Sequence, residues 1–320
     1  MNRGINLILG TMTFGEQLFE NDVADIMRFY LDLGYDEIDT AYVYNNGKSE
    51  ELIGLCLSQL KPDGVRIATK VNPRITGRLD GDAVRMQFPE SLRRMGVEKV
   101  DTLYLHFPDR STPVESALEA CNEFYVEGRF RELGLSNFPA WLVSYVYHVS
   151  KEHGWVLPIV YEGLYNPLSR NAERELNDCL DTYNMRFNAY NPLAGGLLTN
   201  KYTHFEDAPV YGRFTNRPNY QGRYWKKSYF DGIDKVKQAC EKENINIVSA
   251  AYRWLAFHSM LSETRGDGLI MGFSKLSQLQ QNIESINQGP LPQNIVDAFS
   301  EAWENCRSDA PEYFTYYKGK

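Results

Sequence analysis

Cysteine is scarce and scattered: Cys56, Cys121, Cys179, Cys240 and Cys306 are odd in number among 320 residues and include no C-x-x-C pair. Neither a disulfide framework nor a thiolate metal cluster is written into the chain, and reduced thiols in a cytoplasmic protein are expected. No apolar run reaches the length of a membrane helix. Met1 to Gly10 hold one Arg and a short apolar stretch, without the h-region and cleavage pattern of a signal peptide. Excess positive charge is lacking too, since 42 acidic against 34 basic residues leave a net charge of -8, which repels a phosphate backbone or an anionic bilayer. Neither a nucleic acid nor a membrane is an expected partner. Also missing are the P-loop G-x-x-x-x-G-K-[ST], the hydrolase elbow G-x-S-x-G and the zinc helix H-E-x-x-H. His148 and His153 stand five apart and share no helix face, so they read as surface or packing residues and no metal site is expected.

What the chain does have is ordinary globular composition, 43% hydrophobic and 24% charged, and enough length to bury roughly three quarters of its unfolded surface. Short β-rich runs alternate with segments of helical period. The runs are Leu7 to Gly10, Glu37 to Thr40, Val65 to Val71, Val100 to Phe107, Arg131 to Ser136, Pro158 to Tyr161, Arg186 to Tyr190 and Gly268 to Gly272. Helical candidates lie between them at Asp22 to Leu33, Ser49 to Leu60, Asp82 to Met95, Pro113 to Glu127, Ala140 to His153, Arg170 to Tyr183 and Ile247 to His258, with Ser277 to Ile286 after the eighth run. Strict β-then-α order predicts parallel strands with right-handed crossovers, and eight equal units favour closure into a (β/α)8 TIM barrel as one domain over residues 1–320. An open dinucleotide-binding sheet would show G-x-G-x-x-G after its first strand, where this chain reads Gly10-Thr11-Met12-Thr13-Phe14-Gly15. Thr112-Pro113-Val114-Glu115 reads as N-cap, N1 and N3 of a helix, and Pro89 should kink or shorten the third helical segment. Two stretches leave the repeat. Ala194 to Ser228 is a long Gly- and aromatic-rich excursion, and the tail from Asn287 carries a helix near Asn294 to Cys306 and an aromatic end.

In such a barrel, chemistry sits at the C-terminal ends of the strands. Asp39 ends the second run, with Tyr44 in the loop after it, Lys70 is near the end of the third, and His106 is near the end of the fourth. Each has a bland reading alone: a turn cap, an ion pair, a packed histidine. Together they bring an acid, a phenol, an amine and an imidazole to one mouth. Lys70 can favour the phenolate of Tyr44, Asp39 can hold Lys70 charged, and His106 can meet a substrate oxygen beside the phenol. The set suits protonation of an oxygen gaining negative charge, as when a carbonyl accepts hydride. It supplies no hydride, so a nicotinamide cofactor is implied. The aromatic patch Tyr220 to Tyr229 reads as pocket wall rather than a nucleic-acid stacking surface.

These residues resemble the aldo-keto reductase superfamily, most closely its aflatoxin-aldehyde reductase branch, over nearly the whole chain. The segments that carry the likeness are Asp39-Thr40-Ala41-x-x-Tyr44, Ile67-Ala68-Thr69-Lys70, Tyr104-Leu105-His106, Gly134-Leu135-Ser136-Asn137, Ala189 to Leu198 and Thr264-Arg265-Gly266-Asp267. The resemblance implies an NADP(H)-dependent reductase of aldehydes or ketones, with Asp39, Tyr44, Lys70 and His106 catalytic and Tyr44 as general acid. It implies that Ser136 and Asn137 hold the nicotinamide carboxamide beside Glu162, that Tyr190 stacks on the ring, and that Asn191, Pro192, Leu193, Gly195 and Leu197 line the pyrophosphate. Ser274, Lys275, Gln278, Gln281 and Asn282 match the segment that holds the adenosine 2'-phosphate, and Met12, Lys201 and Gly272 join the cofactor set.

Three departures stand out. Position 162 is Glu where the family usually has Gln, and a carboxylate accepts from an amide but cannot donate to it. Lys275 replaces a Ser of close relatives and should favour the 2'-phosphate. The branch commonly ends in Tyr-Phe-Arg, whereas Tyr313-Phe314-Thr315 removes that cation. Thr315, Arg223 and Trp225 are therefore the substrate candidates, with neutral aromatic carbonyls expected over short carboxylated ones. The partner is a small carbonyl compound, and the branch leads us to expect a homodimer. Two alternatives remain open: a biosynthetic ketoreductase of sugar or natural-product carbonyls, and a cofactor-binding regulatory subunit like the potassium-channel β subunits.

Overall fold

The computed structural model describes residues 4–207 and 212–318, so 1–3 of the opening stretch and 208–211 of the long excursion lie outside it. Eight parallel strands close into a barrel in sequence order. They are β1 (Asn6–Gly10), β2 (Glu37–Asp39), β3 (Arg66–Val71), β4 (Val100–Leu105), β5 (Phe130–Ser136), β6 (Pro158–Leu164), β7 (Arg186–Tyr190) and β8 (Gly268–Met271). β1 pairs with β8 to complete the ring, Leu7 opposite Leu269 and Ile8 opposite Ile270. The expected (β/α)8 barrel is thus the fold.

The helices are α1 (Glu20–Asp32), α2 (Lys48–Leu60), the short α3 (Pro73–Thr76), α4 (Gly81–Met95), α5 (Glu115–Val126), α6 (Ala140–His153), α7 (Leu176–Thr182), the short α8 (Arg213–Asn216) and α9 (Pro218–Tyr224), α10 (Lys227–Lys242), α11 (Ile247–Phe257), α12 (Leu276–Ile286) and α13 (Gln293–Cys306). The longer helices bury an apolar stripe, as in α1, where Val23, Ile26, Met27 and Tyr30 are buried at helical spacing. Tyr30 also places its hydroxyl 2.7 Å from the carbonyl oxygens of both Leu7 and Glu37, tying the helix to the starts of β1 and β2. No helix among the described residues is long and apolar enough to cross a membrane.

The barrel interior is plugged below the mouth by Ala68, Tyr104 and Val160. Tyr104 lies so close to β5 that a Cβ on Gly134 would stand 2.3 Å from its ring, so this layer requires glycine there. The plug gives the mouth a floor.

Three local expectations are corrected, and one helix was not anticipated. Thr112 caps no helix, because its hydroxyl donates to Asp109 Oδ2 at 2.7 Å and α5 begins only at Glu115. Pro89 does not shorten α4, which runs through it from an Asp80 cap, so the missing N–H is tolerated within one continuous helix. Arg170 to Tyr183 splits into a 3₁₀ turn, Asn171–Glu173, and α7. α10 went unread, yet its buried Tyr229, Phe230, Ile233, Val236 and Cys240 form a helical stripe.

Candidate active site

A cavity of about 1450 Å³ opens at the C-terminal ends of the strands, and Asp39, Tyr44, His106 and Glu162 lie on its inner wall. Lys70 sits just behind that wall, fully buried. Its ammonium is 2.5 Å from Asp39 Oδ2, 2.8 Å from the Thr40 carbonyl and 3.1 Å from Glu162 Oε2. The same nitrogen lies 5.5 Å from the centroid of the Tyr44 ring. Burial pulls the Lys70 ammonium down, but Asp39 and Glu162 more than offset it and hold it above its ordinary value. Burial pushes the Tyr44 phenol above its ordinary range, and Lys70 acts in the opposite sense, favouring the phenolate as expected.

The loop that carries Tyr44 is fixed from behind. Asn45 and Asn46 adopt left-handed backbone, with φ of 50 and 56 degrees, and Asn45 Nδ2 donates to the carbonyls of Met12 and Phe14 at 2.8 and 2.7 Å. Arg94 of α4 donates to the Tyr42 carbonyl and to buried Glu50, both at 3.1 Å. Gly47, with φ 89, leaves room for that guanidinium, which a Cβ would meet at 2.5 Å. These contacts fix the loop on both sides of Tyr44, which lines the cavity.

His106 is positioned by a residue the sequence reading missed. Asn72, at the end of β3, exchanges hydrogen bonds with Gln87: its N–H donates to Oε1 at 2.9 Å and its carbonyl accepts from Nε2 at 3.1 Å. The Arg74 N–H donates to Asn72 Oδ1 at 2.9 Å, which leaves Asn72 Nδ2 to face His106 Nδ1 at 3.0 Å. An amide NH2 can only donate, so Nδ1 is the acceptor and the imidazole proton sits on Nε2. Burial, then Lys70 and Arg74, hold His106 well below its usual imidazole range, which keeps it neutral. The signal was present in Asn72-Pro73, an N-cap followed by Pro at N1, which is how α3 starts.

Along the proposed cofactor arm, Met12, Asn137, Glu162, Tyr190, Asn191, Pro192, Leu193, Gly195, Lys201, Gly272, Ser274, Gln278, Gln281 and Asn282 all line the cavity. Ser136 and Leu197 are buried behind its surface, and Lys275 is exposed at the N-cap of α12. Asn137 is a junction: its Nδ2 donates to the His106 carbonyl at 3.0 Å and Ser136 Oγ at 2.9 Å, while its Oδ1 accepts from the Tyr190 hydroxyl at 2.6 Å. Gln278 Oε1 accepts from the Ser274 N–H at 2.8 Å. The first N–H groups of α12 have no carbonyl partner within the helix and favour an anion there. The volume of the cavity, the helix-start donors beside Ser274 and the polar side chains of Asn137 and Glu162 on its wall fit a nicotinamide dinucleotide.

Near His106 and Phe107, Arg74 and Arg223 both line the cavity, and neither is paired with a carboxylate among the described residues. Arg74 lies 4.9 Å over the Phe107 ring, which itself stacks on His106. Arg223 lies 5.6 Å from the Tyr220 ring. Trp225 is corrected: it faces away from the cavity into a cluster with Tyr202, Phe214 and Phe230, and its indole N–H donates to the Phe205 carbonyl at 3.0 Å. Thr315 does not line the cavity either, and its N–H donates to the Asn137 carbonyl at 3.0 Å, which docks the tail beside the mouth.

Residues 6–304 match the Aldo/keto reductase family. The chain is 43% identical to aflatoxin B1 aldehyde reductase member 2 of Mus musculus, over 96% of this chain and 87% of that protein. It is 42% identical to aldo-keto reductase family 7 member A3 of Homo sapiens, over 96% of each. To the oxidoreductase sirO of Leptosphaeria maculans it is 33% identical, again over 96% of each. A closed eight-stranded barrel, an acid, phenol, amine and imidazole gathered at its mouth, and likeness of this extent agree: the chain belongs to the aldo/keto reductase family and is an oxidoreductase of carbonyl compounds.

Proposed function

We propose that the protein reduces an aldehyde or ketone to the alcohol with NADPH, with Tyr44 as the general acid. The observation that carries this reading is the stack of Asp39, Lys70 and Tyr44 beside a neutral His106 that presents its Nε2 proton, all at the inner end of the long cavity. When bound, the cofactor supplies the hydride. Everything else falls to the chain. The Tyr44 hydroxyl and the His106 Nε2–H donate to the carbonyl oxygen, fixing it and favouring the charge it gains. An alkoxide is a stronger base than a phenolate, so Tyr44 gives up its proton there even though burial holds that proton firmly. Lys70 then stabilises the phenolate, and Asp39 keeps Lys70 in place.

In this reading Ser274, Lys275, Gln278, Gln281 and Asn282 meet the 2'-phosphate, with Lys201 along the cavity. Asn191 to Leu193, Gly195 and Leu197 follow the pyrophosphate. Asn137 exchanges its Tyr190 contact for the carboxamide. Arg74 and Arg223 give the substrate end an anion-binding character that Thr315 alone did not suggest. We therefore extend the substrate class to aldehydes that carry a carboxylate, consistent with membership of a family in which the similar mammalian proteins are named as aldehyde reductases. Steady consumption of NADPH with a nitrobenzaldehyde tests the proposal. Repeated turnovers support an enzyme, whereas a single oxidation of bound cofactor followed by arrest would favour a regulatory subunit.

A further inference from the structure

The one ammonium of Lys70 faces two buried carboxyl groups. Asp39 is 4% and Glu162 3% exposed, and among the described residues no second cation is paired with either. One positive charge cannot neutralise two buried carboxylates, so one carboxyl keeps its proton. Asp39 makes the 2.5 Å hydrogen bond to Lys70. Glu162 Oε2 comes within 3.1 Å of the same nitrogen but has no aligned hydrogen bond. The geometry therefore puts the proton on Glu162.

Glu162 also borders the part of the cavity assigned above to the nicotinamide. In the sheet it pairs with Ser136 of β5 and Asn188 of β7, and its carbonyl accepts from the Asn137 N–H at 3.3 Å. The titratable groups around it are Asp39 from β2, Tyr44 from the loop after β2, Lys70 from β3, Tyr104 and His106 from β4 and its end, Tyr161 from β6 itself and Tyr190 from β7. Of these only Lys70 is a cation, and Asp39 already claims it. Burial, and then Asp39, hold the Glu162 carboxyl well above its ordinary value, in agreement with the geometry.

We propose that Glu162 carries its proton at neutral pH, where it serves as a neutral hydrogen-bonding group in place of an amide, and that its ionisation at higher pH makes the site prefer the oxidised nicotinamide. The inference rests on the reading that the cavity holds NADP(H). The oxidised ring is a cation and the reduced ring is neutral, so a carboxylate beside it attracts only the former. Loss of the proton to solvent at high pH thus tightens the grip on NADP+ relative to NADPH and turns the site from one suited to reduction towards one suited to alcohol oxidation.

The test is equilibrium binding of NADPH and NADP+, followed by quenching of intrinsic tryptophan fluorescence from about pH 6 to about pH 10, a window that spans the ordinary imidazole, thiol and phenol ranges. Both forms carry the same phosphates, so their titration cancels in the ratio of dissociation constants. For the wild type, Kd(NADP+)/Kd(NADPH) should fall by roughly tenfold or more as pH rises, the scale of one charge–charge contact in a partly solvated site. In Glu162→Gln the ratio should stay flat. A flat wild-type ratio, or an equal fall in the Gln variant, overturns the inference. Failure of both cofactors to bind at any pH instead contradicts the cofactor reading itself. Should the Gln variant not fold, infrared difference spectra of the wild type between the same two pH values decide the matter: the carbonyl band of a buried protonated carboxyl should disappear on going to high pH, and its absence throughout overturns the inference.

Discussion

Asn72 Nδ2 stands 3.0 Å from Nδ1 of His106, and the Arg74 N–H on Asn72 Oδ1 prevents the amide from flipping. The pair fixes the tautomer of the imidazole before any substrate arrives. Asn72→Ala should therefore leave NADPH binding unchanged and lower kcat by about tenfold or more, since His106, the proposed donor to the carbonyl oxygen, is no longer held in register. Steady-state kinetics beside a cofactor titration checks this. A fall in cofactor affinity with kcat intact would assign Asn72 a different role.

Glu162 should reveal itself in stability as well as in binding. Unfolded, its carboxyl ionises near the ordinary value of about 4.3, whereas burial and Asp39 raise it well above that in the folded chain. Between those two values the folded state keeps a proton that the unfolded state has lost. The stabilisation from this group is thus complete below the ordinary carboxylate range and is lost as pH rises through the folded value. Glu162→Gln escapes that loss, so its Tm relative to wild type should increase between about pH 5 and about pH 9. A difference independent of pH would contradict the assignment of the proton.

The barrel was legible because parallel strands buried on both faces read as short apolar runs, and because the strand ends carry Asp39, Lys70 and His106. The contacts that tune them were not. Gln87 reaches Asn72 from α4, and nothing in the local pattern of either residue announces the pairing. The aromatic loop misled in a different way: Arg223 and Trp225 are close in sequence, yet only Arg223 lines the cavity, while the indole packs against Tyr202, Phe214 and Phe230. α10 was hidden by its charged outer face, which masks a stripe that becomes meaningful only against α13.

Arg223 and Arg74 act from opposite elements, α9 and α3, on the same end of the cavity. Burial, and then Arg223, hold the Arg74 guanidinium below its ordinary value, as two cations with no shared anion should. A carboxylated substrate would relieve that repulsion. Arg223→Leu is expected to raise KM for a short aldehyde bearing a terminal carboxylate by about tenfold or more, the scale of a charge-assisted hydrogen bond, with little change for neutral benzaldehydes. Equal losses for both substrates would remove Arg223 from anion binding.

Lys275 occupies the N-cap of α12, exposed and next to Ser274 on the cavity wall. Lys275→Ser should weaken NADPH more than NADH, because only NADPH carries the 2'-phosphate. The loss should be roughly tenfold, and less where solvent screens the ammonium. Parallel titrations with the two cofactors check it, and equal weakening would place Lys275 away from the phosphate.

In the proposed reaction Tyr44 protonates the carbonyl oxygen. Single-turnover oxidation of NADPH by a nitrobenzaldehyde, compared in wild type and Tyr44→Phe with both saturated in cofactor, tests it most directly. The Phe variant should bind NADPH as the wild type does and react ~100- to 10,000-fold more slowly, the usual contribution of a general acid. A Phe variant that reacts at half the wild-type rate would show that the proton comes from elsewhere.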